Sequence, residues 1–267
     1  MCLSPVVLKN EGASMNGYAT QSFPCGKCLE CRKQRVNSWF VRLTEELKMS
    51  SSAYFVTLTY NDLCLRYSDN GLMTLDYRDF QLFMKRVRFH HDNSVKIKYF
   101  LVGEYGAQTH RPHYHMIIFN VQNVNLLVRE WTHGFCHIGD VSHKSIYYTL
   151  KYCTKTILED FKRDDADDRK KEKALMSKGL GLSHLTEAMI RYYKDDVTRC
   201  FSLLGGTTVP LPRYYRDKVF DDMEKVRRLA SITDYLDKRY ERVSDPLFPQ
   251  RVKKMYNKVY QSLAKTD

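Results

Sequence analysis

Apolar positions recur along this chain with two different periods. From Arg32 to about Met49 a stripe of Val36, Phe40, Leu43 and Leu47 returns every three or four residues, which predicts a helix with one buried face. YFVTLTY (54–60) is aromatic and β-branched and predicts a buried strand. Asn61, Asp62 and the Asn70-Gly71 pair mark loops. Between Asp76 and His90, Phe80, Phe83, Met84 and Val87 fall at helical spacing, with Asp76 as N-cap and Asp79 in the first turn. KIKYFLVGEY (96–105) and HYHMIIFN (113–120) predict two more strands, and the short GAQTHRP link makes them a hairpin. A short helix near 123–132, a strand near 135–141 and a helix from Ser142 to Ile157 follow. Residues 1–31, with their Gly, Pro, Asn and Cys, predict irregular structure.

The second half of the chain is more polar. EDFKRDDADDRKKEK (159–173) carries seven acids and six bases, which predicts a solvated linker or exposed helix with no chemistry of its own. LSHLTEAMIRYY (182–193) predicts a helix, and the basic stretch from Leu211 onward reads as mainly helical. The order of elements predicts an α+β fold, an antiparallel sheet flanked by helices. Its parts are a Cys-rich segment and helix (1–50), a core (51–158), a charged insertion (159–180) and a basic, helical C-terminal region (181–267).

Composition narrows the class of function. The 267 residues include 43 Lys+Arg and 31 Asp+Glu, a net charge of +12. A charge of that sign points to a polyanionic partner without saying which. No run of about 18 apolar residues is present to form a membrane-spanning helix. MCLSPVVLKN lacks the basic start and apolar core of a secretory signal, so the expected compartment is a cytoplasm, with no membrane partner.

The most informative segment is RPHYHMIIF (111–119). His113 and His115 are two apart on a predicted strand, on one face and about 6.5–7 Å apart along the chain. Such a pair can be structural or a pair of metal ligands. Glu104 ends the preceding strand and a hairpin can bring it alongside, and two imidazoles with one carboxylate suit Mg²⁺ or Mn²⁺ working on a phosphate. In SIYYTLKYCTK (145–155), Tyr148 and Tyr152 lie one helical turn apart, with Lys151 bordering their face. Tyrosine titrates near pH 10, so as a nucleophile it needs a cation beside its phenolate, which Lys151 or a metal can supply. Together these elements fit attack of a tyrosine on a phosphate of single-stranded DNA, leaving a 5′-phosphotyrosine and a free 3′-OH. A second tyrosine then allows alternate cuts.

FVTLTYND (55–62), VGEYG with RPHYHMIIF (102–119) and YYTLKYCTK (147–155) resemble, in order, the three motifs of the HUH replication initiators. MCLSP, PCGKCLECRKQR (24–35) and PRYYRDKVF (212–220) narrow the resemblance to the rolling-circle initiators of gokushovirus-like microviruses, small single-stranded DNA phages. The resemblance implies His113, His115 and Glu104 as metal ligands, Tyr148 and Tyr152 as the nucleophile pair and Lys151 between them. Tyr147 ranks third, its side chain about 100° away on a helix. Thr57, Thr59 and Asn61 are placed near the DNA, whereas His110 and His137 match nothing. The implied activity is a nickase and strand transferase on origin DNA in the host bacterial cytoplasm. No G-x4-G-K-[ST] motif occurs, so unwinding falls to a host helicase and synthesis to a host polymerase. A relaxase or transposase of the same chemistry, or a zinc-dependent nucleic-acid-binding protein without catalysis, are the alternatives. Oligomeric state and the role of 220–267 stay open.

Cys25, Cys28 and Cys31 form C-x2-C-x2-C, with Cys2 as a fourth candidate ligand. Thiolates at this spacing suit structural Zn²⁺, although reduced cysteines packed in a small subdomain give the same pattern. Arg32, Lys33 and Arg35 after the cluster, and Lys85, Arg86 and Arg88 on a helix, are candidates for DNA phosphates or for a solvated helix face.

Overall fold

The computed structural model describes residues 2, 4–9, 20–92, 94–159, 166–196, 199, 201–204, 207–225, 227 and 228, with the backbone alone for 8, 9, 20–22, 152–159, 201, 203, 204, 207 and 208. In chain order the elements are β1 (Val6–Lys9), β2 (Thr20–Phe23), α1 (Leu29–Met49), β3 (Ala53–Thr59), β4 (Arg66–Tyr67), β5 (Met73–Thr74), α2 (Tyr77–His90), β6 (Lys98–Tyr105) and β7 (Pro112–Phe119). Then come α3 (Asn125–Glu130), β8 (Cys136–Asp140), α4 (His143–Glu159), β9 (Ala174–Met176), α5 (Glu187–Asp195), β10 (Phe201–Leu204), β11 (Thr207–Pro210) and α6 (Arg213–Val219). Five strands form one antiparallel sheet in the order β8-β3-β7-β6-β9. With helices beside it, this is the expected α+β architecture.

β7 lies at the centre and is buried on both faces. Its Tyr114, Met116 and Ile118 join Val56 and Leu58 of β3 and Phe80, Phe83, Met84 and Val87 of α2 in one core. Its Ile117 and Phe119 join Phe100 and Val102 of β6, Val36, Phe40 and Leu43 of α1, and Ile146 and Leu150 of α4 in a second. Each fully buried side chain of this size contributes roughly 1.5–3 kcal/mol. The period-two alternation therefore places His113 and His115 in the same layer as the α1/α4 core.

Local signals hold α2 and α1 in place. The Asp76 carboxylate accepts from Arg78 N–H at 3.0 Å, the N-cap its position predicts. On α1 the buried Glu46 accepts from Lys98 Nζ at 2.7 and 3.0 Å and from Gly181 N–H at 2.7 Å. The charge that Glu46 brings into this layer is thus paired and hydrogen-bonded where it is buried.

Three segments differ from the sequence reading. Within residues 1–31, β1 and β2 pair as an antiparallel ribbon with Val6 opposite Phe23, an order supplied by cross-strand bonds rather than by local propensity. The charged stretch is no free linker in its described part: Lys170 N–H donates to Thr74 Oγ1 (2.8 Å), Tyr105 and Tyr77 hydroxyls donate to the Lys170 and Lys171 carbonyls (2.7 and 3.0 Å), and β9 then joins β6. In 182–193 a single 3₁₀ turn precedes α5, because extended Thr186 caps the helix through Met189 N–H.

Gly134 is fixed by close approach. A Cβ there would stand 2.3 Å from Thr59 O and 2.6 Å from Asn61 N, both backbone atoms. Gly134→Ala is therefore expected to lower stability by about 1–3 kcal/mol in urea unfolding, the usual range for forcing extra volume into a packed site; an unchanged midpoint would refute the tight turn.

The chain divides into two compact units, 1–184 with 202–212, and 185–201 with 213–267. The sheet and both cores belong to the first. In the second, the Arg228 guanidinium stacks over Phe220 at 3.9 Å and donates to Tyr193 O at 3.0 Å.

Candidate active site and cysteine cluster

Register assembles the first site. Glu104 of β6 stands directly opposite His113 of β7, and His115 lies two residues on along the same face. Both Nε2 atoms point to one carboxylate oxygen, Glu104 Oε2, each at 3.4 Å. Both Nδ1 atoms face other partners: His113 Nδ1 lies 3.1 Å from Arg111 O, and His115 Nδ1 lies 3.1 Å from Thr57 Oγ1. A carbonyl only accepts, so His113 donates from Nδ1 and, when neutral, presents its Nε2 lone pair to the carboxylate. This is the orientation of metal-ligating histidines, with the far nitrogen held by a hydrogen bond.

Electrostatics agree with that reading. Burial by itself raises the Glu104 pKa, but the bonds and charges of His113 and His115 outweigh it and hold the carboxyl below its usual range. Burial by itself lowers His113, yet Glu104 and the Arg111 carbonyl more than offset this and raise it. Cis ligands around an ion at 2.0–2.1 Å stand about 3.0 Å apart, so the 3.4 Å gaps would close round a cation with little movement. The nitrogen and oxygen donors of Glu104, His113 and His115 lie within 4.8 Å of one another and fit a hard or borderline divalent ion.

Tyr148 comes to this cluster from α4. Its ring meets His115 edge-on at 5.3 Å and Phe55 edge-on at 6.2 Å, while Phe55 stacks on His115 at 5.6 Å. Tyr148 remains 43% exposed, open to a large substrate. Lys151 is exposed one turn further along α4. Tyr152 lies on the same helix, with its side chain outside the described residues. Tyr147 is 60% exposed.

The second cluster brings together Cys2, Cys25, Cys28 and Cys31, whose sulfurs lie within 4.8 Å of one another. The ribbon explains Cys2: it precedes β1, Cys25 follows β2, and antiparallel pairing returns the two to one end. Cys28 Sγ and Cys2 Sγ are 3.8 Å apart, far beyond a disulfide and equal to the edge of a tetrahedron with Zn–S bonds of about 2.3 Å. Gly26, at φ +72°, supplies the left-handed turn inside Cys25–Cys28. Cys28 N–H donates to Cys25 Sγ at 3.3 Å and, with Lys27, lowers the Cys25 pKa, whereas burial pushes the Cys31 thiol up to about 12. Four sulfurs at tetrahedral spacing fit zinc. Cys28→Ser is expected to reduce zinc in protein purified without added metal from about one equivalent to near none; a wild-type chain free of zinc would remove the site.

The family model for the replication-associated proteins of the ORF2 type matches residues 53–157, from β3 into α4. Replication-associated protein ORF2 of Spiroplasma virus 4 is 33% identical over 258 residues, covering 88% of this chain and 78% of that protein. The chain belongs to this family of replication-associated proteins. Other members are similar at lower identity: replication-associated protein VP4 of Bdellovibrio phage phiMH2K (29%, 74% of this chain and 68% of that protein) and ORF4 of Chlamydia phage 1 (27%, 81% and 56%). A solved structure, hypothetical protein ORF119 from Sulfolobus islandicus rod-shaped virus 1, aligns over 42% of this chain and 90% of that one at 21% identity, but a TM-score of 0.30 is too loose to argue from. The family is the one its sequence resembles, and the matched span contains Glu104, both histidines and Tyr148.

The remaining sequence candidates separate. Thr57 bonds His115 directly, a positioning role that the motif alone did not specify. Thr59 Oγ1 donates to Phe135 O at 3.4 Å, and Asn61 caps a short turn through Cys64 N–H at 2.9 Å. Lys33 and Arg35 are exposed on α1. Arg32 corrects the expectation of a DNA contact: it is 6% exposed, because its helical position turns it inward beside buried Cys31. Arg86 binds Glu130 O and Arg88 covers the Tyr99 ring, so α2 uses both in packing. Among the described residues no helix is long and apolar enough to cross a membrane.

Proposed function

We propose that this replication-associated protein is an HUH-type nickase and strand transferase that starts and ends rolling-circle replication. The observation that carries this reading is the edge-on placement of Tyr148 on His115, next to the His113–Glu104 pair. His113, His115 and Glu104 hold Mg²⁺ or Mn²⁺. When bound, such an ion polarises a phosphate oxygen. Tyr148 Oη attacks phosphorus; the Oη–P bond forms, the P–O3′ bond breaks and the 3′-oxygen leaves to take up a proton. The 5′-phosphate stays on the tyrosine and the 3′-OH is free to prime synthesis. Lys151 supplies positive charge near the phenolate, and Tyr152 serves as the second nucleophile in the rejoining step. Phosphodiester exchanges for phosphodiester, so no nucleotide triphosphate is consumed.

The substrate is single-stranded origin DNA, or a supercoiled duplex that exposes it, in the cytoplasm of a bacterial host. A host helicase and polymerase complete the cycle. The structural zinc of the cysteine cluster fixes the N-terminal ribbon to the start of α1, where Lys33 and Arg35 can contact phosphates. The test is incubation of the full chain with Mn²⁺ and an end-labelled origin oligonucleotide. A covalent adduct that survives denaturation is expected, and mass spectrometry of the linked peptide names the tyrosine and the phosphate. Cleavage without any protein–DNA link would overturn the tyrosine mechanism.

A further inference from the structure

The stretch 166–173 carries one acid that its charge pattern conceals. Glu172 is 6% exposed. β9 pairs with β6 through Val102 and Ala174, Gly103 N–H donates to Lys173 O at 3.3 Å, and the next position in this antiparallel register sets Glu172 beside Glu104. Its Oε1 accepts from Tyr105 N–H at 2.8 Å. The segment is pinned on either side: Lys173 N–H donates to Tyr77 Oη at 2.8 Å, and Lys170 N–H to Thr74 Oγ1 at 2.8 Å. The Glu172 charge reaches His113, and it also reaches Arg169, which Asp167 already holds through two bonds of 2.8 and 2.7 Å.

A buried divalent cation held by two neutral imidazoles and one carboxylate keeps a net positive charge, which is costly away from water. We propose that Glu172 is a second carboxylate of the metal centre, acting from outside the ligand set on a hard divalent cation that retains part of its water. The proposal rests on the reading of Glu104, His113 and His115 as a metal site. Glu172 is a positioning residue there: it offsets the charge of the ion and accepts from water bound to it, as outer partners of metal sites do. This favours Mg²⁺ or Mn²⁺, which keep several waters, over an ion that sheds them.

The competing explanation is that Glu172 only completes the sheet ladder at Tyr105. Glu172→Gln separates the two, because the amide oxygen can still accept from Tyr105 N–H while the charge is gone. Mn²⁺ is titrated into the full chain and free Mn²⁺ is followed by electron paramagnetic resonance, with thermal melting of the metal-free protein measured in parallel. Glu172→Gln is expected to weaken Mn²⁺ binding about tenfold with melting unchanged. Glu172→Asp, which keeps the charge, is expected to retain most of the affinity. Equal affinity of wild type and Glu172→Gln would overturn the proposal and leave the metal site standing. Loss of affinity in both variants together with lowered melting would also overturn it, by assigning Glu172 to the ladder. A wild-type chain whose Mn²⁺ binding is absent, or is indifferent to His113→Ala, would instead overturn the site on which the proposal rests.

Discussion

The double variant Tyr148→Phe, Tyr152→Phe is expected to form no denaturation-resistant adduct with origin DNA. Its cleavage rate should fall by at least about three orders of magnitude, the scale seen when an enzyme loses its nucleophile. The substitution is conservative where the structure describes it. The Tyr148 ring packs on His115 and Phe55 through its faces and edges, and phenylalanine keeps those contacts. Melting and Mn²⁺ binding should therefore match wild type, so that lost cleavage cannot be ascribed to lost structure. The single variants then rank the two hydroxyls: Tyr148→Phe alone should remove most of the first cut, and Tyr152→Phe alone most of the second. Adduct formation undiminished in the double variant would move the nucleophile elsewhere.

The second large effect concerns His113. His113→Ala is expected to weaken Mn²⁺ binding by more than about 100-fold, beyond the loss typical of an outer partner, and to remove metal-dependent cleavage with it. It also changes the response to pH. In the metal-free protein a proton on His113 Nε2 faces Glu104, and this raises the histidine pKa above its ordinary value of about 6.5. A raised histidine contributes stability that is fully present below that ordinary value and is lost as pH rises through the folded-state pKa. Glu104 behaves in the opposite sense: its lowered pKa contributes stability above the usual carboxylate range, lost as pH falls through its folded-state value. The ion and the proton compete for the same nitrogen. Apparent Mn²⁺ affinity in wild type should thus climb with pH through and just above about 6.5, and His113→Ala should flatten that climb. An affinity independent of pH between about 6 and 8 would argue against His113 as a ligand.

The hairpin of β6 and β7, the α2 cap at Asp76 and the helix of Tyr148 were legible in the chain because each is written in a local period or a turn residue. The metal cluster was legible for the same reason: an H-x-H on a strand and a glutamate before a short turn meet once the register is known. What was not legible depends on distant partners. Cys2 reaches its cluster only through the pairing of β1 with β2. Arg32 has the composition of a surface residue, and only the helix rotation that buries Cys31 draws it inward. Glu172 sits among seven acids and six bases, where nothing local separates a buried acid from solvated ones. Thr57 was visible as part of a motif, but its bond to His115 needs the β3–β7 register.

The placement of both histidines in the layer of Ile117, Phe119, Ile146 and Leu150 has a consequence for how the protein can evolve. Packing and catalysis there draw on one set of side chains, and no loop lies between them to absorb a change. A smaller residue at Ile146 or Ile117 lets α4 settle closer to the sheet, carrying Tyr148 with it relative to His115. Variation under selection should therefore be tolerated on the α2 side of the sheet, where only stability is at stake, before it is tolerated on the α4 side.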